Sequence, residues 1–140
     1  MRKILFLLVA ALAFAGVMAA AQEEMDEDLM QSIEDTNKSL SSNLAQHDDK
    51  ASADDARDLA QKFSQVETYF DHRGNAADAV DLARKSEELT AQILKAVAAA
   101  DFDAAMDSSV TLSRTCKTCH RSYKKDKDKT KAKDKNKEDS

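Results

Sequence analysis

Apolar residues recur along this chain in steps of three and four, separated by polar and charged positions. Leu29, Met30, Ile33, Leu40 and Leu44 form the first such stripe, the signature of a helix that buries one face. After a break at HDDKAS, a second stripe carries Ala56, Leu59, Phe63, Val66 and Phe70. It is expected to start at Ser52, an N-cap residue type followed three positions on by Asp55. It ends at DHRGN, where Gly74 supplies the turn residue. A third stripe runs from about Asn75 to Ala99 with Ala79, Val80, Ala83, Leu89, Ile93 and Val97 facing inward, and Asp101 caps a fourth with Phe102, Met106, Val110 and Leu112. Helices of this length joined by short connections favour antiparallel neighbours. The pattern therefore predicts an all-α fold, an antiparallel up-down-up-down four-helix bundle.

The two ends of the chain do not follow this pattern. Arg2 and Lys3 precede an unbroken apolar run that closes on small residues, with Ala19 and Ala21 in an A-x-A arrangement. These are the n-, h- and c-regions of a secretory signal peptide, so 1–21 is read as a leader and the mature chain as starting near Gln22. An uncleaved membrane anchor is the alternative, because the run approaches spanning length, but its Ala-rich end argues for cleavage. No stable membrane span is expected after that. At the other end, KKDKDKTKAKDKNKEDS has no apolar stripe to offset the entropy of ordering it. Residues 126–140 are expected to be a disordered Lys/Asp-rich tail, which leaves 22–125 as the one folded domain. The chain has no proline and two glycines, one of them in the leader, so glycine-turned β-hairpins are not expected.

Charge divides unevenly. Residues 22–123 hold 11 Lys and Arg against 21 Asp and Glu, whereas 124–140 hold 8 against 5. An acidic body repels nucleic acid phosphate and suits a partner with a basic docking surface.

Both cysteines lie in TCKTCHRSYKK, Thr115–Lys125, on the fourth helix. At about 100° per residue, Cys116, Cys119, His120 and Tyr123 share one side of the helix, the histidine to one flank and the second cysteine to the other. C-x-x-C-H is the attachment signature of c-type haem, with thioether bonds from the cysteines and an iron bond from the histidine. Three other readings compete. A disulfide between residues three apart on one helix constrains little of the fold. A thioredoxin-like redox pair belongs beside a strand, and none is expected. Zinc would need further ligands from His47, His72 or scattered carboxylates. No methionine follows the motif, so a second axial ligand, if there is one, must come from upstream. Bundle topology puts Met25, Met30 and His72 at the motif's end and His47 and Met106 away from it. Met30 stands on the apolar stripe beside Ile33 and is the best candidate, with core packing as its alternative role; His72 lies in a polar turn. Val66, Phe70, Ala79 and Ala83 are candidates to wall a haem from water, and ordinary packing explains them equally.

These residues resemble a known family. An export leader, four helices, CKTCHRSY closing the last helix and DLMQSI near the start of the first are similar to the class II c-type cytochromes, the cytochrome c-prime family with its six-coordinate low-spin relatives. The resemblance covers about Glu24 to Lys125, and the C-x-x-C-H-x-x-aromatic-basic run, met by Tyr123 and Lys124, is its most specific element. It implies one covalent haem c on Cys116 and Cys119, His120 as proximal iron ligand and Met30 as distal ligand. It implies periplasmic electron transfer without enzymatic turnover, between redox protein partners, with a second copy of the chain as a further candidate partner. In the family's five-coordinate members the open iron binds nitric oxide or carbon monoxide, and Met30 would then be packing alone. Two features depart from the family's pattern: the second-to-third connection is very short, and the lysine tail is additional.

Overall fold

The computed structural model describes residues 25–138, with side chains to Tyr123; the leader and its cleavage site lie outside them. The described residues form four helices, α1 (Glu27–Ala45), α2 (Asp49–Arg73), α3 (Ala77–Ala98) and α4 (Phe102–Glu138), joined by connections of three residues each. Every helix packs on the next in the chain, α2 and α3 most extensively, and α1 closes against α4 while the diagonal pairs stay apart. This is the up-down-up-down four-helix bundle that the apolar pattern predicts.

The stripes are heptad seams. Met30, Ile33, Asn37, Leu40 and Leu44 form that of α1, and Ser52, Ala56, Leu59, Phe63, Val66 and Phe70 that of α2. In α3 the seam is Ala79, Ala83, Ser86, Thr90, Ile93 and Val97, and in α4 it is Ala105, Ser109, Leu112, Cys116, Cys119 and Tyr123. Alternating three- and four-residue steps keep each row facing its neighbours. Every α2 and α3 seam residue is buried, as are Ile33, Leu40 and Leu44 of α1 and Ala105, Ser109 and Leu112 of α4. The buried seams mix large residues such as Leu40, Leu59 and Ile93 with small ones such as Ala56, Ala105 and Ser109, a mixture that lets layers interdigitate.

Hydrogen bonds between helices fix the register. Asn37 Nδ2 donates to Ser113 Oγ at 3.1 Å, and the Ser41 and Ser109 hydroxyls lie 3.4 Å apart. Between α1 and α2, Asn43 Nδ2 donates to Asp55 Oδ2 at 2.8 Å and Thr36 Oγ1 to Asp58 Oδ2 at 2.9 Å. Between α2 and α3, Arg84 Nη2 donates to Glu67 Oε1 at 2.8 Å.

Two expectations change. The α2 cap is Asp48, whose carboxylate accepts from the Ala51 N–H at 2.9 Å, and Ser52 is a buried seam residue inside the first turn. No breaker separates Asp48 from Ser52, so the helix starts at the earlier acceptor, where a negative charge also suits the dipole. Val110, expected to face inward, is 42% exposed. It sits about 200° from Leu112 around the helix, so both cannot face the core, and the larger Leu112 with Ala105 and Ser109 sets the phase. The backbone of α4 is helical to Glu138, into the segment without an apolar stripe. That segment has neither glycine nor proline and is rich in Lys, a good helix former, so nothing local stops the helix where the stripe stops.

The predicted cap and turn residues elsewhere are in place. Asp101 Oδ1 accepts from the Ala104 N–H at 3.0 Å, and Gly74 has φ 65° at the end of α2. Asn75 follows with φ 53°. The sharp turn leaves α3 to start at Ala77, with Ala76 at its N-cap making no side-chain bond.

Candidate functional site

The seam of α4 carries the motif. Cys116, Cys119 and Tyr123 continue the row of Ala105, Ser109 and Leu112, so the same spacing that buries the core points both thiols inward. Both cysteines are free and half-buried, and Cys116 packs against the core cluster. His120, one residue beyond Cys119, is exposed at the flank of the seam.

Burial dominates the thiol electrostatics. Loss of water pushes the Cys116 thiol up to about 11, with the neighbouring Cys119 adding to the effect. The Cys119 thiol is also raised, by burial first and by the Asp78 carboxylate second. Both are therefore neutral thiols at physiological pH. A dithiol redox centre relies on a thiolate with lowered pKa, and this site does the opposite.

The register collects the remaining candidates at the same end. Pairing Asn37 with Ser113 and Ser41 with Ser109 in antiparallel helices brings Met30 of α1 level with Cys119 and His120. Met30 is half-buried and packs against the core. The α2–α3 pairing puts Val66 and Ala83 in the layer of Cys119, and Phe70 and Ala79 in that of Tyr123. The ring centroids of Phe70 and Tyr123 lie 5.0 Å apart, tilted by 53°.

Other sequence candidates fall elsewhere. His47 stacks on Phe102 at the far end of the bundle, with ring centroids 4.6 Å apart. His72 is exposed, lining a shallow open groove on the outer side of α2 with Gln61, Ser64, Gln65, Thr68 and Tyr69. That groove shares no residue with the motif. The further ligands that zinc would need are thus not at the cysteines, and among the described residues no three Cys, His, Asp or Glu side chains gather in metal-binding geometry. Met25, like Met30, packs against the core.

One residue at the site escaped the sequence reading. Asp78, in the first turn of α3, accepts the Tyr123 hydroxyl hydrogen bond. Burial and this bond to Asp78 hold the Tyr123 phenol up at about 12. From sequence alone, Asp78 is an acidic residue at a helix start, a place where carboxylates are common for reasons of the dipole; only tertiary contact with Tyr123 singles it out.

The donor set fits a c-type haem by its chemistry: two free inward thiols a helical turn apart, an adjacent imidazole and a thioether at the same level. Among the described residues no helix is long and apolar enough to cross a membrane. No protein family, curated protein or solved structure matches the chain.

Proposed function

We propose that this chain is an exported monohaem c-type cytochrome that carries electrons, with one haem c bound through Cys116 and Cys119 and the iron held by His120 and Met30. The observation that carries the reading is the position of the C-x-x-C-H run on the inward seam of α4, level with Met30. When bound, such a group supplies one-electron redox chemistry at the iron, with a potential raised by a methionine ligand. The chain's own residues do the rest. Neutral, half-buried Cys116 and Cys119 thiols wait in an apolar setting for thioether formation. Val66, Phe70, Ala79 and Ala83 exclude water from the same layers. The leader supports export to the periplasm, and the acidic body supports redox partners with basic docking surfaces.

A gas-binding cytochrome with five-coordinate iron is the second reading. It is favoured by one observation: Met30 occupies a regular seam position, which core packing explains without ligation. The visible spectrum of protein made with a haem-attachment system, ferric and ferrous, with and without carbon monoxide, separates the two. A sharp, split ferrous band unmoved by carbon monoxide supports the electron carrier. A broad band that shifts puts gas binding first, and the lack of any covalent haem on a denaturing gel rejects both.

A further inference from the structure

Among the described residues, one hydrogen bond joins α3 to α4, and it lies at the motif. The Tyr123 hydroxyl donates to Asp78 Oδ1. Tyr123 stands one turn beyond Cys119 on the same seam, and its ring rests on Phe70. The phenol is thus held at two points, by a ring on α2 and a carboxylate on α3. Past Tyr123 the sequence offers no apolar stripe, and among the described residues this clasp is the tertiary tie nearest the C-terminal end of the cysteine turn. Asp78 also lies close enough to Cys119 for its charge to act on the thiol. At the start of α3 the dipole favours a carboxylate, and the Arg73 guanidinium also acts on the Tyr123 phenol.

We propose that Asp78 is a positioning residue for the Cys116–His120 turn: through Tyr123 it holds the end of α4 against α3, and it places one negative charge beside the thiol edge of the site. This rests on the c-type haem reading above. A nearby negative charge favours the ferric over the ferrous state, because the ferric centre carries one more positive charge.

The two halves separate by substitution in the full chain. Asp78→Asn keeps an oxygen that accepts from Tyr123 and removes the charge; Tyr123→Phe keeps the ring and the charge and removes the hydrogen bond. Asp78→Asn is expected to raise the midpoint potential of the haem-loaded protein and to leave amide exchange at residues 116–123 unchanged. Tyr123→Phe is expected to speed that exchange roughly tenfold, the worth of one hydrogen bond, with a smaller change in potential than Asp78→Asn gives. A potential unmoved by Asp78→Asn overturns the charge, and exchange unmoved by Tyr123→Phe overturns the clasp. If the wild-type chain takes up no covalent haem, the haem reading falls and the charge with it, while exchange on the haem-free chain still decides the clasp.

Discussion

Single side chains decide the two most informative tests of this molecule. Met30 is a half-buried seam residue level with His120. If its thioether binds iron, Met30→Ala converts a low-spin spectrum into a high-spin or water-ligated one; an unchanged spectrum would reduce Met30 to core packing. Glu87 is the second case. Its Oε1 is sealed from solvent without a hydrogen-bond donor, and its carboxyl lies within hydrogen-bonding reach of Glu67, which itself receives the Arg84 guanidinium. Burial first, and Glu67 second, raise Glu87, whereas Arg84 holds Glu67 below the usual carboxylate range. The Arg84 guanidinium also acts on the Glu87 carboxyl, in the lowering direction, but less than burial and Glu67 raise it. The raised group binds its proton more tightly in the folded state, so its contribution to stability is complete below the ordinary Glu range and is lost as pH rises through the folded value. Glu67 has the opposite sign: its contribution is present at neutral pH and is lost on acidification. Glu87→Gln keeps a donor to Glu67 and cannot ionise, so its thermal midpoint relative to wild type should climb as pH rises from the ordinary Glu range through the raised value of Glu87. A constant difference across that range would show that Glu87 does not hold the proton.

At the scale of elements, helix ends carry testable free energy. Asp48→Ala removes the α2 cap and should cost about 1 kcal/mol, whereas Ser52→Ala removes a buried hydroxyl with no partner and should be neutral or stabilising by up to about 1 kcal/mol. Equal losses in chemical denaturation would return the cap to Ser52. Two helices end in the same way without glycine. In α1 the Asp48 N–H bonds to Asn43 O at 3.0 Å and the His47 N–H to Leu44 O at 3.1 Å; in α3 the Asp101 N–H bonds to Ala96 O and the Ala100 N–H to Val97 O, both at 2.9 Å. These paired bonds form a Schellman turn, whose pivot is usually glycine. Here His47 and Ala100 take it at φ 55° and 56°. Ala100→Gly relieves that strain and loses part of the gain to unfolded-state entropy, leaving a net stabilisation of about 0.5–1 kcal/mol. A destabilised variant would mean that the Ala100 methyl group is worth more than the strain. The motif turn was legible at this scale, since i, i+3 and i+4 spacing needs no partner to interpret. The Val110 expectation failed because two apolar residues on opposite sides of α4 leave the phase open until the other three seams choose.

For the whole molecule, stability resides in the shared core. Leu59 is fully buried on the α2 seam, and Leu59→Ala should cost about 2–5 kcal/mol. Val110→Ala, on the outside of α4, should stay within about 0.5 kcal/mol. Denaturation midpoints that move equally would show that the α4 phase is wrong. Helix number, the three turns and most of the inward stripes were legible in the sequence itself, because each depends on neighbours within one or two turns. Only the tertiary structure decided which residues share a layer: Met30 with Cys119, Phe70 and Asp78 with Tyr123, Glu67 with Glu87. Register between antiparallel helices comes from four seams interdigitating at once, and a residue such as Asp78 or Glu87 has no local feature that announces the partner it meets across the bundle.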